Sequence, residues 1–473
     1  MTRKRLAALA FPASVLLPQT AHAAPALDGT TMSYLWDVPF VGLLLTIATG
    51  PLLFPKFWHA HYGKLAFAWA AAVILALAAV YGVPAALAAL VHAILAEYLS
   101  FIVLLFALYT VAGGILVTGQ IRGTPLNLTI LLTVGTSIAS FVGTTGAAMI
   151  LIRPLLRALE NRRHRAHVVV FFIILVANVG GALTPLGDPP LFVGFLRGVD
   201  FFWTMRNIWL QTLIVALPLL VAFYLLDRWL ARNDAAAKAR KDPNIKVGIR
   251  GGINFILIGG IIVSILGSAL WQPGVSFDVY GTTVQLQNAV RDAVLIALAL
   301  LSLWLTPNEH RESNGFSWEP IREVAILFAA IFTAIIPVLA MLQAGRDGPF
   351  GFLLNVVTGP SGAPSEVAYF WLTGILSAFL DNAPTYLVFF ELAGGNAQTL
   401  MGPLAGTLAA ISMGAVYMGA LTYIGNAPNF MVYAIAQERG VAMPSFFAYF
   451  LWASLILTPL FVLLTFLRVS PLL

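Results

Sequence analysis

Residues Asn178 to Phe195 read NVGGALTPLGDPPLFVGF. The flanking sequence is apolar and long enough to cross a bilayer. This stretch nevertheless contains Pro185, Pro189, Pro190, several glycines and Asp188. Proline removes a backbone donor and stops a helix, and glycine permits close backbone approach. A charged side chain at membrane depth is costly, and it marks a functional site by default. The stretch is therefore read as a helix broken inside the membrane, with an unwound turn at 184–190. Met418 to Tyr433, MGALTYIGNAPNFMVY, has the same pattern.

The rest of the chain supports a membrane setting. Of 473 residues, 60% are hydrophobic and 10% charged, against about 25% charged in soluble domains. Apolar runs of spanning length are read at 34–54, 65–82, 88–119, 168–195, 207–229, 252–270, 291–306, 321–342, 403–436 and 446–467. Two further segments, 128–152 and 367–391, are interrupted by polar and helix-breaking residues. Each is read as a hairpin that enters the membrane and returns, because broken backbone at that depth must be buried in protein or face a wet cavity. The expected fold is an all-α polytopic membrane protein. It has about ten transmembrane helices, two re-entrant hairpins and two broken helices.

Charge orients the chain. The net charge of +6 is read as basic cytoplasmic loops, not as a nucleic-acid surface. Arg153–His167 has five arginines and one glutamate, and the stretch from Asp227 to Arg250 has seven basic and three acidic residues. Both belong on the cytoplasmic side. The expected organisation is a first repeat at 34–229, a basic linker at 230–251 and a second repeat at 252–467. Residues 1–23 resemble a secretory signal peptide in layout, with basic residues, a short apolar run and Ala21-His22-Ala23. The chain has no cysteine, which excludes disulfide and thiolate chemistry, and no HExxH-type metal spacing is present. Glu97 and Arg322 near span ends are read as interfacial, and His92 as packed or facing the interior.

The two halves align. GALTPLGDPP (Gly181–Pro190) lies over GALTYIGNAP (Gly419–Pro428) without a gap, with Gly181, Ala182, Leu183, Thr184, Gly187 and Pro190 matched. SFVGTTGAAM from Ser140 lies over SAFLDNAPTY from Ser377 at nearly the same offset, and Thr110 and Gln120 lie over Thr333 and Gln343. An odd number of spans separates the copies, so they run in opposite directions. Inverted repeats with paired broken helices are the pattern of a secondary transporter, with its site at the repeat interface.

The candidate site follows from these breaks. The unwound turns contribute Thr184, Gly187 and Asp188 from one repeat and Thr422, Gly425 and Asn426 from the other. The hairpin tips contribute Thr144 and Thr145, and Asp381, Asn382 and Thr385. Oxygen ligands suit a hard cation such as sodium, with Asp188 and Asp381 as its carboxylates. A carboxylate in so apolar a place needs a cation or a proton as partner, so the two could compete for one site.

VANVGGALTPLGDPPLFVGFLRG together with LDNAPT resembles the ion transporter superfamily. The likeness is strongest to a bacterial branch that includes NhaD-type sodium:proton antiporters and citrate transporters, and it covers nearly all of the chain beyond residue 30. It implies residence in the bacterial inner membrane, a homodimer, and a scaffold with a moving transport domain. It carries Asp381, Asn382, Thr385, Thr184, Gly187, Asp188, Gly425 and Asn426 over as motif positions. Related dicarboxylate carriers have Ser-Asn-Thr at the tips, whereas this chain has Thr144-Thr145-Gly146 and Asp381-Asn382-Ala383. A tip carboxylate would repel an anion in a low-dielectric site. The leading expectation is therefore sodium:proton antiport without a cofactor, and the alternative is cation-coupled uptake of citrate or another small carboxylate. An intramembrane aspartyl protease fits poorly, since the order and flanks of the two aspartates differ from that pattern. A permanent channel fits less well than exchange.

Overall fold

The computed structural model describes residues 27–234, 247–359 and 362–467. The candidate signal peptide and part of the basic linker lie outside the described residues. The first half runs α1 (Val38–Leu53), α2 (Pro55–Tyr81), α3 (Val83–Ala112), α4 (Pro125–Val142), α5 (Thr144–Ala158), α6 (Ala166–Leu175), α7 (Pro189–Leu196) and α8 (Trp203–Leu230). The second runs α9 (Ile253–Leu270), α10 (Leu286–Leu305), α11 (Glu319–Ala334), α12 (Ile336–Gln343), α13 (Glu366–Phe379), α14 (Asn382–Leu392), α15 (Ala405–Met418), α16 (Ala427–Glu438) and α17 (Phe446–Phe466). Eight helices among the described residues are long and apolar enough to cross a membrane, and α11 and α12 together have the length and hydropathy of one more across a 41° bend. Their outer faces carry exposed apolar side chains such as Phe67, Leu75, Val221 and Trp304, as lipid contact requires. This is an all-α polytopic membrane protein.

Several boundaries differ from expectation. Helix α2 begins at Pro55, ten residues before the expected 65, because Pro55 starts the helix and Lys56, His59, His61 and Lys64 then lower the hydropathy of its first turns. Helix α3 ends at Ala112, before the expected 119, because Leu116–Thr118 leaves it to form strand β1. That strand pairs antiparallel with β2 (Gly248–Arg250), Leu116 opposite Arg250. This pairing ties a loop of the first half to the linker.

Helices α4 and α5 form a hairpin that returns to its own side. Arg162, just past α5, donates to the Gly123 carbonyl just before α4 at 2.5 Å, and Arg157 donates to the Val117 carbonyl at 2.8 Å. Both ends are therefore held together on the side of the basic loops. Gly143, at φ +81°, makes the sharp reversal between the two arms, a conformation open to glycine at little cost. Helices α13 and α14 form the second hairpin, with Tyr369 and Phe389 in edge contact at 6.2 Å across its open end.

Between α6 and α7, and between α15 and α16, the chain leaves the α-helix for a short 3-10 turn and a loop. The halves interlock, since α14 packs on α7 and α5 packs on α16. A second body forms where α2 packs on α11 and α10 packs on both α3 and α9.

Candidate functional site

Each unwound loop is closed by the same set of contacts. The Thr184 hydroxyl donates to the Ser140 carbonyl and accepts the Leu186 N–H at 3.2 Å. In the other half the Thr422 hydroxyl donates to the Ala378 carbonyl and accepts the Ile424 N–H at 3.3 Å. A Cβ at Gly187 would lie 2.1 Å from the Gly181 carbonyl oxygen, and one at Gly425 would lie 2.3 Å from that of Gly419. The one residue type without a Cβ is therefore required at both corners. The same sequence spacing separates every one of these pairs. At that spacing Gly143 corresponds to Asp381 and Thr144 to Asn382, so the register of the hairpin tips is shifted by one residue from the alignment of Ser140 with Ser377.

Asp188 is where the two tips meet. It is 1% exposed. Its Oδ1 accepts the Thr144 hydroxyl at 3.2 Å, and its Oδ2 accepts Asn382 Nδ2 at 2.6 Å. Thr144 and Asn382 are the first residues of α5 and α14, so each donor comes from a half-helix N-terminus, where the helix dipole favours negative charge. The Thr144 backbone N–H also donates to the Gly187 carbonyl at 2.8 Å. Asn382 Oδ1 is buried without a partner among the described residues. Asp381 caps α14 by accepting the Ala383 N–H at 3.1 Å, and it is half-buried.

A cavity of about 410 Å³ reaches this point. Thr144, Thr145, Gly187, Asp188, Asp381 and Asn426 line its inner end, and His59, Arg153, Glu319, Glu323 and Glu438 stand farther out. Arg153 lies nine residues along α5 from Thr144, about 13 Å at the helical rise, and its guanidinium is bound to the Asn314 carbonyl. The mouth thus lies on the side of the basic loops.

The remaining sequence-predicted residues stand behind the cavity wall. Thr184, Thr422 and Gly425 brace the loops as described, and the Thr385 hydroxyl is turned to the Asp381 carbonyl at 2.9 Å. Asn426 faces the cavity but also anchors a carboxamide network. Its Nδ2 donates to Asn178 Oδ1 at 2.8 Å, Asn178 Nδ2 donates to Asn429 Oδ1 at 2.7 Å, and Asn429 N–H donates to Asn426 Oδ1 at 3.0 Å. Asn178 and Asn429 escaped the sequence reading, although a carboxamide in an apolar run is itself a signal.

Glu97 is also corrected. Far from being interfacial, it is 6% exposed, with Oε1 2.7 Å from Arg197 Nη2. Arg197 Nη1 is 2.7 Å from Glu391 Oε1, and Gln343 Nε2 donates to Glu391 Oε2 at 3.3 Å. This cluster joins α3 and α12 to the ends of α7 and α14, on the side of the site away from the cavity mouth. His92 is exposed and outside the cavity, and Arg322 is exposed, as an interfacial residue is.

Residues 29–469 match the family described as "Putative citrate transport". The chain belongs to this family. Among relatives, a protein named as an uncharacterized transporter in Mycobacterium tuberculosis is 23% identical over 328 residues, 67% of this chain and 71% of the relative. One of the same description in Mycobacterium bovis matches to the same extent. Another, in Synechocystis, is 23% identical over 295 residues, 58% of this chain and 61% of the relative. Family, relatives and fold make this member a multi-pass secondary transporter.

Proposed function

We propose that this transporter exchanges sodium for protons at Asp188 and Asp381. The observation that carries the reading is a buried carboxylate held between both hairpin tips, with a second carboxylate and an unpartnered amide oxygen beside it, at the end of a cavity from the cytoplasmic side. The cavity's basic side chains, His59 and Arg153, belong to its outer part. Such a site attracts a small cation, and it rejects an anion arriving alone. The proton and the cation are alternative partners of the same carboxylates, so loading one requires release of the other. A homodimer in the bacterial inner membrane is part of the proposal, on the strength of the family resemblance.

A second reading is cation-coupled carboxylate uptake. Thr144 and Asn382 are neutral donors that already grip a carboxylate, that of Asp188, and the family description names citrate. A coupling cation would have to neutralise the two acids first.

Flux into proteoliposomes separates the two. Sodium, lithium and labelled citrate are offered singly, with an internal pH dye. A sodium gradient that moves protons without citrate supports exchange. Labelled citrate accumulating only with a cation, while sodium alone moves no protons, overturns exchange in favour of the second reading.

A further inference from the structure

A second cavity, of about 560 Å³, lies at the end of the protein that carries the basic loops, read from their charge as cytoplasmic, and well away from Asp188. It is framed by the loop before α6, the last turns of α8 and the first turns of α17. Its floor is apolar and includes Phe171, Trp452 and Leu455, and its rim carries Arg163, His164 and Arg165 in succession. Among the described residues no acidic side chain lines it. Trp452 is 41% exposed and Leu455 68% exposed, so the floor continues onto the lipid-facing surface. The cavity therefore sits where headgroups give way to acyl chains.

The rim is held rigidly. Buried Arg162 is 2.6 Å from Asp227 and 3.1 Å from Asp234, His167 Nε2 is 2.9 Å from Asp227, and the Arg163 backbone N–H donates to Asp234 at 3.0 Å. These acids are thus engaged by Arg162, His167 and the backbone. The side chains of Arg163 and Arg165 form no ion pair among the described residues, and Arg165 donates to the Gly440 carbonyl at 2.8 Å. Two unneutralised guanidiniums and an imidazole above an apolar, lipid-continuous floor match one kind of ligand: a phosphate-bearing headgroup with acyl chains attached. Basic pockets between helices on the cytoplasmic side bind such headgroups.

We propose that this cavity is a binding site for an anionic phospholipid of the cytoplasmic leaflet, with the phosphate at Arg163 and Arg165 and one chain along Trp452 and Leu455. A phosphate gains bidentate hydrogen bonds from arginine, and the acyl chain covers the exposed apolar faces of Trp452 and Leu455.

Trp452 is a built-in reporter. The full-length protein in detergent is titrated with phosphatidylglycerol brominated on its acyl chains, and the signal followed is the quenching that Trp452→Phe removes. Saturable quenching by phosphatidylglycerol is expected, with much weaker quenching by brominated phosphatidylcholine. At about fivefold per basic residue, Arg163→Gln weakens binding about fivefold, and Arg163→Gln with Arg165→Gln about thirtyfold. Arg163→Lys, which keeps the charge, restores most of it. Equal quenching by both lipids, or unchanged affinity in a folded Arg163→Gln protein, overturns the proposal. Complete displacement by millimolar inorganic phosphate also overturns it, in favour of a free-phosphate site. If the double variant fails to fold, Arg163→Gln alone decides, since the Arg163 side chain takes no part in the network that holds the loop.

Discussion

Replacing Asp188 with asparagine removes one charge and almost no volume. The amide fits, because Asn426 occupies the matching corner of the other repeat and is equally buried. The loss is electrostatic. A sodium ion about 4 Å from the carboxylate gains about 4 kcal/mol at an effective dielectric near 20, and about 1 kcal/mol in bulk water. Asp188 is 1% exposed, so the first figure applies. Four kcal/mol corresponds to about three decades in dissociation constant. In proteoliposomes carrying Asp188→Asn, the sodium concentration for half-maximal proton movement rises about a thousandfold, beyond any practical range. A fivefold rise would place the carboxylate in water rather than in the closed corner described above. Unchanged half-saturation and rate in a protein that melts at the wild-type temperature would refute the assignment of Asp188 to the ion.

Other substitutions test the frame around the site. Gly187→Ala and Gly425→Ala each force a Cβ against a backbone carbonyl oxygen; each should cost about 1–3 kcal/mol or more, seen as a lower melting temperature, and an unchanged melt would show that the loops relax freely. Asn178→Leu leaves Asn426 Nδ2 and Asn429 Oδ1 without the partner each has in Asn178, at about 1–3 kcal/mol for each orphaned group, so thermal stability should fall even where transport is retained. Asp227→Ala strips a buried partner from both Arg162 and His167 and should destabilise by about 3–5 kcal/mol; denaturant titration measures this, and a wild-type midpoint would contradict it. Glu97→Gln weakens the tie from α3 to Arg197 by a charged hydrogen bond, about 1.5–3 kcal/mol. The chain has no cysteine, so a single Leu380→Cys reporter in the cavity can be labelled cleanly. The ratio of inward-open to other states read from its cytoplasmic labelling should fall about tenfold or more if that tie holds the inward-open arrangement, and an unchanged ratio would dismiss that role.

The broken helices were legible because their signals are local. Gly181–Pro190 and Gly419–Pro428 combine prolines, glycines and a polar residue inside apolar runs, and their mutual alignment revealed the repeat. Asp188 stood out for the same reason. What escaped was non-local. The end of α3 depends on a strand pairing with residues more than a hundred positions away. Glu97 looks interfacial until Arg197 and Glu391 are placed beside it. Thr184 and Thr422 read as ligands from their chemistry, but Ser140 and Ala378 offer them backbone carbonyls that only the folded hairpins bring near. The one-residue shift at the tips has a similar origin, because identical serines suggested a register that the helix caps at Gly143 and Asp381 do not follow.

Asp188 and Asn426 hold matching corners of two halves built on one plan, and this gives the duplication a direction. Two copies of the first half would confront a pair of acids across the centre, and two copies of the second would leave that corner with no charge at all. Neither self-paired ancestor would have today's single anionic corner backed by an amide. The halves have become unequal specialists, and a molecule rebuilt from either one alone would keep the architecture but set both of its acids on the unwound turns, or both on the hairpin tips.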